Sequence, residues 1–214
     1  MSEEILKTYD AFNRQLGSAN RSDIHRNGLW HRSVNFIVVD PKRKTAIFQD
    51  SNTLDTLDAD KFFVKMNGGH AHDEDMLVEV SRELEEELGL KIIDAEDVHF
   101  LGKYQISFEP TAEFINHEFM YFYLTAFSDA FEKIGMDDEE VKSIFEINID
   151  EAVNLIIGDR DSIEVITRDC LGNRATQNFT QHSFRNFTDD ALYLRLFLAM
   201  QDFCNGRNKK YIVI

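Results

Sequence analysis

The 214 residues include only two cysteines and two prolines. Cys170 and Cys204 cannot build a disulfide framework and lack metal-ligand spacing, so each is expected to be an ordinary thiol in or near a core. There is no Gly/Ser/Pro linker, no low-complexity tract and no internal repeat, so the chain reads as a single domain over residues 1–214. No apolar run approaches the length needed to span a bilayer, and the opening MSEEILKTYDAF is acidic rather than signal-like. A cytoplasmic protein without a membrane partner is the expectation. Basic residues are also scarce: 23 Lys and Arg face 39 Asp and Glu, a net charge of −16. That field repels nucleic acid, and no long Lys/Arg stripe offsets it. It would equally repel a phosphate-bearing substrate unless something local, such as a divalent cation, reversed the sign.

What is present is ordinary globular composition, 43% apolar and 29% charged. Residues 3–16 read as an amphipathic helix ending at Gly17. Residues 35–40 and 45–49 are short apolar runs joined by Pro41-Lys42-Arg43-Lys44, which predicts a hairpin. Residues 61–66 form a further strand candidate, followed by the turn Asn67-Gly68-Gly69. Met76, Val80, Leu84 and Leu88 recur at helical spacing across residues 75–88, and Gly89 is a natural stop. Residues 98–108 and 118–127 are strand-like, and 144–149 lead into a helix near 150–157. Residues 162–168 and 174–180 alternate about Leu171-Gly172-Asn173, a second hairpin. A last helix runs from 189 to about 204, capped by Thr188. Strands before, between and after helices predict an α/β (α+β) fold with a mixed sheet flanked by helices.

The chemistry concentrates in residues 68–90, GGHAHDEDMLVEVSRELEEELGL. On a helix Glu83 and Glu87 share a face, Glu86 sits one step round, and Glu79 adds a further i, i+4 acid. Like charges at that spacing destabilise a bare helix by roughly 0.2–0.5 kcal/mol per pair. A cation would turn this repulsion into ligation, and hard oxygen donors select Mg2+ or Mn2+ over Zn2+. Gly68-Gly69 lets backbone pass close to a ligand.

This stretch resembles the Nudix box, G-x5-E-x7-R-E-U-x-E-E-x-G-U with U aliphatic, at every specified position. A chance match in a chain of this length is on the order of one in ten million. The resemblance implies a Nudix-type α/β/α sandwich with its core at about 25–157, the N-terminal helix and the 160–204 hairpin and helix being elaborations. It implies a hydrolase of small organic diphosphates. Glu83, Glu86 and Glu87 would be metal ligands, Arg82 would orient them, and Glu74 would support the turn. Gly68, Gly69, His70 and Lys65 are the substrate-binding candidates.

Residues 25–33, HRNGLWHRS, are similar to a segment of a Nudix branch close to isopentenyl diphosphate isomerase. That likeness implies a metal bound by His25, His31, His70 and Glu118, with Asn116 where an acid is expected. Glu118, a charge entering an aromatic strand, is the candidate further ligand or base. Asn67 stands where the isomerase has its catalytic cysteine, which weighs against isomerisation. Arg32 reads as a solvated charge that could touch a phosphate, and His72 and His117 read as surface residues. Two other functions stay open: isomerase-like activity, and a silent module that senses a nucleotide. The segment beyond about Ile157 would shape the substrate pocket or an interface between two copies in a homodimer.

Overall fold

The computed structural model describes residues 4–50, 64–72, 75–92, 97–111, 114–136, 141–184 and 191–207. Ten strands and five helices are assigned among them: β1 (Ile5–Tyr9), β2 (Gln15–Asn20), α1 (Arg21–Asn27), β3 (His31–Asp40), β4 (Thr45–Asp50), β5 (Val64–Lys65), α2 (Met76–Leu88), β6 (Val98–Thr111), β7 (Phe114–Ala126), α3 (Ala130–Lys133), β8 (Ser143–Asn148), α4 (Ile149–Ile156), β9 (Ile163–Asp169), β10 (Arg174–Phe179) and α5 (Leu192–Cys204).

The main sheet runs β10-β9-β8-β4-β3-β7-β6, with β5 on β4. It is mixed. The β3–β7 pair is parallel and the other ladders are antiparallel. Strand alternation sorts apolar side chains to two faces. Val34, Phe36 and Val38 of β3 join Val80, Leu84 and Leu88 of α2 on one side. Ile37 and Val39 join Leu155 of α4 and Leu196 and Phe197 of α5 on the other. Helices therefore cover both faces, and the three-layer expectation is met.

The hairpins at β3–β4 and β9–β10 and the helix through residues 76–88 stand where the sequence puts them. Thr188, the expected cap of the last helix, lies outside the described residues, as do 61–63 of the third strand candidate.

The N-terminus differs. Residues 3–16 are not a helix: β1 and β2 form an antiparallel hairpin of their own. The period-2 pattern wins there, because Leu6 and Thr8 are buried between an exposed Ile5 and a half-buried Lys7. The turn supplies its own closure. The Asp10 carboxylate accepts from the backbone N–H groups of Phe12 and Arg14, both at 2.9 Å, and Asn13 takes the left-handed conformation at φ 65°. Arg32 holds the hairpin down, its guanidinium 4.0 Å from the Tyr9 ring centroid and its Nε 2.8 Å from Asn13 Oδ1. It is a docking residue rather than a solvated charge. The helix α1 that follows is a second element the sequence reading did not contain.

One detail positions everything below. β3 pairs with β4 only over Val38–Asp40. Its N-terminal half instead receives the turn after β5: Phe36 N–H donates to the Asn67 carbonyl at 2.9 Å, Val34 N–H to that of Gly69 at 3.0 Å, and Ala71 N–H to that of Arg32 at 2.9 Å. The sheet forks, and the glycine turn fills the fork.

Candidate functional site

Helix α2 begins at Asp75, whose carboxylate accepts from Leu77 N–H at 3.0 Å, and ends at Gly89 in the left-handed conformation. Its apolar stripe is buried against the sheet, and the adjoining stripe carries Glu79, Glu83 and Glu87, all buried as well. Helical periodicity alone aligns these three carboxylates. The row faces the fork. Gly68 N–H donates to Glu87 Oε2 at 2.8 Å, and a Cβ on Gly69 would lie 2.8 Å from Glu83 Oε1. Gly68 has φ 118°, and a Cβ there would meet the Val34 carbonyl oxygen at 2.2 Å. Both glycines are demanded by contact: one by the strand beneath, the other by the carboxylate above.

Arg82 ties the acids together. Its Nη2 lies 2.7 Å from both Glu79 Oε2 and Glu83 Oε1, and its Nη1 lies 2.6 Å from Glu86 Oε2. Partial burial works against the guanidinium charge, but the bonds to Glu79 and the field of Glu83 outweigh it and raise the pKa. Glu86 is half exposed, at the solvent end of this cluster. Glu79 is outside the box pattern, yet it is the most buried of the acids that Arg82 holds. Glu74 lies outside the described residues, as does the Lys65 side chain, whose backbone belongs to β5.

On the other side of the same turn sits a second cluster. His25 comes from α1, His31 opens β3 and His70 follows the glycines, and one ligand nitrogen from each lies within 4.8 Å of the others. His25 and His31 are buried and His70 is half-buried. His31 Nδ1 lies 3.2 Å from the Leu29 carbonyl. Its Nε2, together with both ring nitrogens of His25, is buried without a hydrogen-bond partner among the described residues. Burial, and after it the neighbouring imidazoles, pushes the His25 pKa down to about 4; burial likewise lowers that of His31. Both rings are therefore neutral at pH 7.

Parallel pairing of β3 with β7 sets Glu118 directly opposite His31. Glu118 is buried and accepts from Asn116 Nδ2 at 2.9 Å. Phe114 stacks on His25 at 4.4 Å between centroids and walls the cluster from outside. The structure thus brings together Gly68, Gly69, Arg82, Glu83, Glu86 and Glu87 at one corner, and His25, His31, His70, Asn116 and Glu118 at the adjoining one.

The two surface histidines fare differently. His72 is exposed, but His117 is half-buried, stacked on Trp30 at 4.9 Å with Nδ1 2.7 Å from the Gly28 carbonyl. Asn67 is fully buried, with Nδ2 3.3 Å from the Phe36 carbonyl and 3.1 Å from that of Ile47. Cys170 is exposed and Cys204 half-buried, neither near the site residues in sequence. Sequence reasoning missed Glu4, whose Oε1 lies 3.4 Å from His70 Nδ1; a separation of 66 positions left no local signal for it.

The NUDIX domain family matches residues 29–169. An uncharacterized Nudix hydrolase of Clostridium acetobutylicum is 28% identical over 166 residues, covering 76% of this chain and 79% of that one. In fold, the chain is similar to a crystal structure of a Deinococcus radiodurans protein, with TM-score 0.50 and 20% identity over 72% of this chain and 90% of that one. Among the described residues no helix is long and apolar enough to cross a membrane. The chain belongs to the Nudix family and is a Nudix hydrolase, of a kind that generally works with divalent metal ions.

Proposed function

We propose that the protein is a divalent-metal-dependent hydrolase that cleaves the diphosphate bond of a small organic diphosphate. The observation that carries this reading is the fit of the acidic row to the glycine turn: Glu87 takes the Gly68 N–H, and Glu83 occupies the space a Gly69 Cβ would need. Glu83, Glu86 and Glu87 are the proposed metal ligands. Their donors are all carboxylate oxygens, a set that suits Mg2+ and accepts Mn2+. A cation held there would offset charge on the diphosphate and lower the pKa of bound water.

The chain's own groups supply the rest. Arg82 restrains the glutamates and prevents them from splaying apart. Gly68 and Gly69 let Glu87 and Glu83 close onto the backbone with no Cβ between them, and this turn is the proposed substrate-side edge of the site. Glu118, buried beside His31, is the proposed proton acceptor or further ligand, and His70 and Lys65 are the proposed phosphate contacts. His25, His31 and His70, with Glu118, make a second donor set in which imidazole predominates, a chemistry suited to a transition metal rather than to Mg2+. The orphaned Nε2 of His31 supports that assignment. The whole chain is proposed to act as one domain in the cytoplasm, alone or as a homodimer, on nucleoside diphosphate derivatives or isoprenoid-type diphosphates.

The test is release of phosphate or monophosphate from nucleotide sugars, dinucleotides, nucleoside triphosphates and isopentenyl diphosphate, with and without Mg2+. Metal-dependent cleavage of one class supports the hydrolase and names its substrate; binding without cleavage favours a sensor.

The imidazole cluster favours one second reading, isomerisation of isopentenyl diphosphate. Asn67 opposes it, because its amide is spent on two backbone carbonyls inside the sheet and presents no thiol. Conversion of isopentenyl diphosphate to its isomer, without phosphate release, would favour that reading instead.

A further inference from the structure

The N-terminal hairpin sends one carboxylate to the site. Glu4, just ahead of β1, places Oε1 3.4 Å from His70 Nδ1. Its backbone carbonyl accepts from Arg21 N–H at 2.8 Å, which fixes it against the start of α1. The hairpin behind it is docked at three points: Tyr9 N–H to the Trp30 carbonyl at 2.8 Å, Arg32 to Tyr9 and Asn13, and Asn13 Nδ2 to Tyr121 Oη at 2.8 Å. Glu4 is therefore carried by an anchored element.

A neutral imidazole that binds a metal through one nitrogen must carry its proton on the other, and a neighbouring acceptor fixes which is which. His31 has such an acceptor in the Leu29 carbonyl at Nδ1, with Nε2 left buried and unpartnered. Glu4 Oε1 lies at the Nδ1 of His70, as the Leu29 carbonyl lies at that of His31, and the same oxygen is 3.4 Å from His72 Nε2.

We propose that Glu4 is the positioning residue of the imidazole centre: it accepts the Nδ1 proton of His70 and holds Nε2 toward His25 and His31. This inference rests on the proposed transition-metal role of that cluster. It also makes the hairpin part of the site. Ion binding and hairpin docking are linked, each strengthening the other by the same factor.

Titration of the full chain with Co2+, followed by its visible absorption, tests this. Glu4→Ala lowers Co2+ affinity by about 10- to 100-fold; Glu4→Gln lowers it as well, whereas His72→Ala, at the other neighbour of the carboxylate, leaves it unchanged. Hydrogen exchange at Leu6 and Thr8 slows on Co2+ addition in the wild-type chain and does not in Glu4→Ala. Circular dichroism of each variant reports that the fold is retained. Saturable, His31-dependent Co2+ binding that is indifferent to both Glu4 variants overturns the role of Glu4 alone. Absence of saturable Co2+ binding in the wild-type chain, or binding untouched by His31→Ala, overturns the imidazole reading and the inference with it.

Discussion

The two corners of the site are built in opposite ways. The carboxylate corner comes from one turn and one helix, so its geometry follows from 3.6 residues per turn and a cap at each end. The imidazole corner is assembled from α1, the start of β3, the residue after the glycines and a strand on the far side of β3. One corner is shaped within a single stretch of chain that docks on β3; the other requires the parallel β3–β7 register before it exists. Local construction makes a site readable in sequence, and distributed construction makes it dependent on topology.

The largest expected effect separates the corners by chemistry. Glu87→Gln keeps an oxygen for the Gly68 N–H yet removes the charge, and turnover with Mg2+ is expected to fall by about a thousandfold. Steady-state rates beside an unchanged circular dichroism spectrum check this; rates near wild type would end the ligand assignment.

Gly68→Ala strikes the turn shared by both corners. With φ 118° and backbone oxygen 2.2 Å from the new Cβ, the expected cost is about 3 kcal/mol, read from urea denaturation. A variant as stable as wild type would show that the fork can widen freely.

Asn67→Ala removes the strap between β3 and β4 without touching either proposed ligand set. A loss of about 1–3 kcal/mol is expected, because two backbone carbonyls lose a buried donor. The companion Asn67→Cys sharpens the contrast with an isomerase: no isomerisation is expected, and its appearance would show that one thiol converts the site.

The smallest effect distinguishes the corners by pH. The unfolded His25 ring takes up a proton near its ordinary 6.5, whereas the folded ring resists until about 4. Between those values the unfolded state binds more protons, so stability of the metal-free protein declines as pH falls from 6.5 toward 4. Denaturation midpoints across that window check the slope, and His25→Asn should reduce it, leaving the share that the buried His31 contributes. A wild-type profile that is flat there would contradict the buried, neutral ring.

How much was legible follows the same division. The acidic row, the glycine turn, both predicted hairpins and the helix of residues 76–88 could be read from the chain, because each is fixed within about twenty residues. Glu79 was visible as an extra acid but not as the principal partner of Arg82, since only packing shows which glutamates are buried. The N-terminal segment misled. Its apolar spacing fits a helix as readily as a strand, and the decisive contacts, Tyr9 with Trp30 and Arg32 and Asn13 with Tyr121, come from distant sequence. Grouping of His25, His31 and His70 came from family likeness, and Glu4 from neither source.

The fork between β3 and β4 has a dynamic consequence. Two amides of a central strand, Val34 and Phe36, are tied not to a neighbouring strand but to the glycine turn. Whenever the turn lifts, those two protons become exchangeable while that of Val38, opposite Ile47 in the ladder to β4, stays protected. Their exchange rates thus report how often the site breathes, and any ligand that clamps the turn will silence them first.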